Sequence, residues 1–231
     1  VIKPRHSAIV GFGSLALLVG CASKLASHDD RARDAAAGDD AGTREASGAF
    51  THRVAEDGVV RTVVDATDEQ AWRYLDLDSR RDDGAAARWD LGFSRFRVRT
   101  NGGASGDGGV QVAALAGQDF DALKRAPDAG FRADQPDGAE DTDTEPDNAF
   151  NSGPEDWYDY NVMTHALTPR AITYVIASTE GRFYKLRIED YYDSAGTPGF
   201  LSFRWAEIDA PANGLPASDD EDDDGGTQEK P

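Results

Sequence analysis

The chain has 231 residues, with 43 acidic side chains against 24 Lys and Arg, a net charge of −19 and a pI near 4.4. At roughly 100–200 residues per domain this is one domain with tails. The missing cationic surplus argues against nucleic acid and against docking on anionic lipid through side-chain charge, and a single cysteine excludes an intramolecular disulfide framework or a multi-cysteine zinc site.

The first element is an address. Lys3, Arg5 and His6 precede an apolar stretch from Ala8 to Gly20, then Cys21. A basic segment followed by a short apolar core has the layout of a secretory signal and is too short to span a bilayer comfortably. Leu18-Val19-Gly20-Cys21 resembles a bacterial lipobox. On that reading residues 1–20 are a signal peptide and Cys21 carries the acyl chains, each buried CH₂ contributing about 0.8 kcal/mol to anchoring.

Residues 21–50 hold almost no large apolar side chains and read as a flexible tether. Residues 212–231, with the run Asp219 to Asp224, read as a disordered acidic tail. Between them, residues 51–211 read as an all-β, antiparallel domain with long loops. Trp72 to Leu77 is a short aromatic strand. Trp89 to Thr100 alternates, but Trp89, Leu91 and Phe93 have one parity and Phe96 and Val98 the other, which predicts one strand with a bulge near Ser94–Arg95. Asn101 to Gly109 is a glycine-rich turn, Val110 to Ala114 a returning strand, and Phe120 to Arg125 a turn or two of helix. From Ala133 to Pro169 there are ten acidic residues and no Lys or Arg, and 134–153 reads as a long exposed loop. Ala171 to Thr179, Arg182 to Tyr192 and Phe200 to Trp205, joined by short turns, form an antiparallel meander.

Few of these segments carry catalytic chemistry. Gly103-Ala104-Ser105-Gly106-Asp107 fails as a nucleophile elbow because Asp107 holds the last glycine position. The loop lacks the G-x-x-x-x-G-K pattern that cradles phosphate. Glu140 to Glu145 concentrates hard oxygen ligands without the spacing of a calcium-binding loop. No acid–base pair stands out, so an enzyme is not expected. Arg95, Arg97 and Arg99 alternate with Phe96 and Val98, which on one strand places three guanidinium groups on one face, suited to carboxylates such as haem propionates or simply to solvent. Met163 and His165 set the chain's one Met two residues from one of its four His, and both are ligand types suited to haem iron.

Trp89-Asp90-Leu91-Gly92-Phe93-Ser94-Arg95, followed by Arg99-Thr100-Asn101-Gly102-Gly103-Ala104-Ser105-Gly106, resembles the core motif of the HmuY family. Trp157-Tyr158-Asp159-Tyr160, Tyr184-Lys185-Leu186, Tyr191-Tyr192 and Gly199 to Trp205 are similar to later stretches of the same family, so the resemblance runs from about residue 59 to 208. It implies a lipid-anchored bacterial outer-membrane protein, on the cell surface or the periplasmic face, that binds haem and passes it to a transporter without catalysis. Family members hold the iron from two sides through histidines or methionines. Here His165 and Met163 are the candidates, and His52 sits too near the domain's edge to pair with them. The second ligand would have to be a tyrosine, or the iron five-coordinate. The alternative is an envelope protein that binds a protein or polysaccharide instead of haem. Haem capture predicts an apolar pocket near His165 and Met163 with a basic residue at its mouth. The alternative predicts a filled interior, with His165 hydrogen-bonded or exposed in a loop.

Overall fold

A computed structural model describes residues 42–82, 84–85, 88–138, 146–151 and 156–214, and its regular structure is almost entirely β-strand. In chain order the strands are β1 (Thr43–Ser47), β2 (Phe50–Val54), β3 (Val60–Asp65), β4 (Arg73–Asp76), β5 (Arg81–Asp82), β6 (Leu91–Ser94), β7 (Arg97–Thr100), β8 (Gln111–Ala116), β9 (Tyr158–Asn161), β10 (Ala166–Pro169), β11 (Ile172–Ala177), β12 (Phe183–Tyr192) and β13 (Pro198–Ile208). They form a seven-stranded antiparallel sheet in the order β1-β2-β3-β13-β12-β11-β8, a four-stranded sheet β5-β4-β6-β7, and the separate hairpin β9–β10.

The pattern that makes these strands is period 2. In β3, Val60, Thr62 and Val64 are buried while Arg61, Val63 and Asp65 are exposed. In β13, Leu201, Phe203 and Trp205 face inward. One core joins the two larger sheets, with Phe93 of β6 stacked on Phe203 at 5.4 Å between ring centroids and edge-on to Phe50 at 6.0 Å. The segment 118–132 covers part of the large sheet's other face, where Phe131 meets Phe183 and a second cluster forms around Val175. Beneath it Lys185 is buried, its Nζ donating to the Phe120 and Leu123 carbonyls at 2.8 and 2.9 Å.

The C-terminal meander, β11-β12-β13, stands as the sequence predicts, and so do the strands over 72–77 and 110–114. Four expectations are corrected. The domain begins inside the expected tether, since β1 and the start of β2 precede residue 51. His52 is therefore a core residue, fully buried, with Nδ1 2.8 Å from the Thr62 hydroxyl. Residues 89–100 are two strands, not one bulged strand. Ser94 pairs with Arg97 across a two-residue turn, and Arg95 there has φ +56°. The parity switch is the chain reversing, and the register shifts of the large sheet fall instead at Ile188–Tyr192. Phe120 to Arg125 forms turns, and among the described residues there is no α-helix. Finally, the ends of the acidic loop are built into the core, because Asp134, Asn148, Ala149 and Phe150 are buried. Cys21, Glu140 to Glu145 and the run Asp219 to Asp224 lie outside the described residues.

Buried polar side chains hold the loops to the strands. Asp134 accepts from the Thr100 amide at 3.0 Å and the Thr100 hydroxyl at 2.6 Å, and Asn148 Nδ2 donates to the Val98 carbonyl at 3.0 Å. Asn101 Nδ2 donates to the Trp89 carbonyl at 2.8 Å, while its Oδ1 accepts from Gly108 at 3.0 Å. Gly103 has φ +56°, and a Cβ there would lie 2.0 Å from the Asp134 carbonyl oxygen, so only glycine fits. Asp90 accepts from the Leu77 and Thr179 amides, both at 2.8 Å. Burial pushes its carboxyl up to about 7 against those two hydrogen bonds, and the neighbouring carboxylates of Asp78 and Asp76 push it further the same way.

Candidate functional site

The hairpin β9–β10 carries His165 and Met163 at its tip. Asn161 and Ala166 close the loop as cross-strand partners, leaving Val162, Met163, Thr164 and His165 outside the ladder. Asn161 is the residue that shapes it, because its Oδ1 accepts from the Met163 and Thr164 amides at 2.9 and 3.1 Å while its carbonyl accepts from the His165 amide at 2.7 Å. His165 takes the left-handed conformation at φ +56°. Its Nδ1 is hydrogen-bonded to the Tyr160 hydroxyl. If Nδ1–H donates to that hydroxyl, Nε2 carries the free lone pair, which is the tautomer a metal ligand needs.

The tip is apolar and open. Val162 is 70% exposed, Met163 86% and Tyr160 50%. The base is anchored on aromatic residues, with Trp157 buried against Tyr158 and Tyr191 and its Nε1 donating to the Phe96 carbonyl at 2.8 Å. Phe96 itself is 39% exposed and edge-on to Tyr158. Four of the five exposed large hydrophobic residues among those described therefore belong to this hairpin and the turn beside it.

The arginine row divides. Arg95 sits in the β6–β7 turn next to Phe96, its Nη1 donating to the Thr67 carbonyl at 3.2 Å, and its charge acts on Tyr191. Arg97 and Arg99 share a strand face but turn to aromatic rings. The Arg99 guanidinium lies 4.0 Å from the Trp72 ring centre, 5.2 Å from Tyr74 and 5.6 Å from Trp89, and donates to the Tyr74 hydroxyl. Arg97 lies 5.5 Å from the Trp72 ring and donates to the Ser94 hydroxyl at 3.1 Å. The expected single row of three guanidinium groups is thus not formed, because the chain reverses at Arg95.

Two clefts open elsewhere. One, of about 410 Å³, lies between Tyr74, Trp89, Arg99 and the glycine-rich loop. The other, of about 550 Å³, lies over Lys185 with Asp57, Asp121 and Asp209 at its rim. Neither is lined by His165 or Met163, so the apolar pocket that haem capture predicts there is not formed among the described residues, and His165 stands hydrogen-bonded in an exposed loop, as the alternative predicts. Sequence reasoning missed Tyr160 and Trp72. The signal for Tyr160 was present: an aromatic run ending in Asn161, then Val162 and Met163, inside an otherwise acidic stretch.

The family model described as HmuY protein matches residues 68–205. No curated protein matches the chain. Among solved structures, a candidate HmuY-like haem-binding protein of Bacteroides vulgatus is similar at a TM-score of 0.50 and 17% identity, covering 64% of this chain and 91% of its own. A candidate lipoprotein of Bacteroides fragilis aligns at a TM-score of 0.49 and 22% identity, over 64% and 88% of the two chains. The apo HmuY analog of Tannerella forsythia aligns at 0.49 and 15%, over 71% and 99%. At 17% identity the likeness to the Bacteroides vulgatus protein bears on the fold alone.

Proposed function

From the premise that the chain belongs to the HmuY family, we propose that it captures haem on the open β9–β10 hairpin and hands it to an outer-membrane transporter. The observation that carries this reading is the oriented imidazole of His165, with Met163 two residues away, on an exposed apolar tip. Haem brings an iron that takes histidine or methionine ligands, an apolar ring and two carboxylates. His165 Nε2 or Met163 Sδ would hold the iron. Tyr160 and Val162 would meet the apolar ring, and Arg95, which lies with Phe96 in the turn against Tyr158 at the hairpin's base, is a cation suited to a carboxylate. Because the tip is exposed and not a pocket, what it holds would stay accessible to a receiving protein, which suits a cargo passed onward.

The envelope localisation belongs to the same proposal. Acylation at Cys21 would tether the domain to the outer membrane, on either face. Metabolic labelling with an alkyne fatty acid in a Gram-negative host tests it, with label incorporated into the native chain and lost in Cys21→Ser.

A second reading has its own support. The interior near the hairpin is filled, and His165 is hydrogen-bonded in an exposed loop, which suits docking of a protein or polysaccharide. A haemin titration read at the Soret band separates the two. Saturation near one equivalent, with a spectrum altered in His165→Asn or Met163→Leu, supports haem capture. Asparagine keeps the left-handed backbone, so the loop is preserved. A flat titration overturns haem capture and leaves the partner-binding hairpin.

A further inference from the structure

Asp76 at the end of β4, Asp78 two residues on, and Asp90 just before β6 each offer an oxygen, and these three oxygens all lie within 4.8 Å of one another. Asp76 and Asp90 are buried, and the Asp78 side chain is 3% exposed. Their hydrogen bonds account for most of their oxygens. Asp76 accepts from the Ser79 amide at 3.0 Å and the Ser79 hydroxyl at 2.8 Å, and both Asp90 oxygens accept from backbone amides. Asp78 Oδ1 accepts from the Tyr184 hydroxyl at 2.9 Å and pairs with Arg182 Nε at 3.2 Å. Asp78 Oδ2 is sealed from solvent and has no hydrogen-bond partner.

The charge does not balance either. Among the described residues Arg182 is the one cation ion-paired with these acids, and it is half exposed and shared with Glu207 at 3.7 Å. Buried charge of one sign needs a counter-charge. We propose that Asp76, Asp78 and Asp90 bind one Ca²⁺ ion. All-oxygen carboxylate ligands select a hard cation, and oxygens on opposite sides of Ca²⁺ sit about 4.6–5.2 Å apart, a span these three fit within. Mg²⁺ keeps several waters and dehydrates reluctantly, which three buried carboxylates do not suit. The ion joins the two large sheets. Asp76 and Asp90 flank strands of the four-stranded sheet, whereas Tyr184 and Arg182 holding Asp78, and Thr179 holding Asp90, come from β12 and the β11–β12 turn of the seven-stranded one.

The test is the melting temperature of the full chain in millimolar CaCl₂ and in EDTA, beside Asp78→Asn. The amide of that variant places a donor where Oδ2 has none, so it folds without the ion and is at least as stable as wild type in EDTA. The wild type should melt about 5–10 °C higher in Ca²⁺, as for a site filled about 100-fold above its Kd, and the variant should show no shift. An unchanged wild-type midpoint overturns the site. A shift of equal size in Asp78→Asn also overturns it and assigns the ion to other acids. An equal wild-type shift in MgCl₂ overturns the choice of calcium.

Discussion

His52 shows how a residue's role follows from its place in a sheet. It stacks parallel to Phe50 in β2, bonds the Thr62 hydroxyl through Nδ1, and keeps Nε2 buried without a partner. Burial lowers its pKa below the ordinary 6.5. The unfolded chain therefore takes up the proton first as pH falls, so the neutral ring's contribution is full above 6.5 and is lost as pH drops through the lower folded value. The expected outcome is a melting temperature that declines between pH 7.5 and 5 more steeply in the wild type than in His52→Leu, read by circular dichroism. Asp134 is a second such residue. Replacing it with Asn sets an amide donor against the donors of Thr100 and Asn148, and should cost about 2–3 kcal/mol in urea unfolding.

At the scale of elements, the β9–β10 hairpin separates folding from function. Its base is locked by Trp157 and by the Leu167 amide donating to the Tyr192 hydroxyl at 2.9 Å, while its tip touches little. Met163→Ser should therefore leave the melting temperature within about 1 °C, since exposed substitutions away from such anchors change stability by less than about 0.5 kcal/mol. Asn161→Ala removes the acceptor that shapes the loop, and should broaden backbone resonances of residues 162–165 in NMR while leaving the sheets intact. Unchanged resonances would mean the loop is held by its strands alone.

For the whole molecule the dominant quantity is charge. A net −19 repels itself, and the repulsion opposes the compact state. Raising KCl from ~20 mM to ~300 mM shortens the screening length several-fold and should raise the melting temperature. No rise would mean that the charge is balanced locally by pairs such as Arg80–Glu45 and Arg204–Glu189. The same field repels haem carboxylates at long range, so capture on the hairpin would also strengthen with salt.

The strands that alternate cleanly could be read from the residues alone, because a period of 2 fixes which face is buried whatever lies opposite. That is why the meander β11-β12-β13 was legible. So was the family, through Trp89-Asp90 and Thr100-Asn101-Gly102-Gly103, although in the structure these residues act as architecture and tie loops to strands. What the sequence could not decide is set by contacts distant along the chain. Arg95 belongs to a turn because Ser94 pairs with Arg97, and β1 and β2 belong to the domain because β3 lies beside β13. Asp76, Asp78 and Asp90 form a cluster only because the fold brings Leu77 and Asp90, 13 positions apart, into one hydrogen bond. Local pattern determines which way a side chain faces, and the tertiary structure alone decides what it meets.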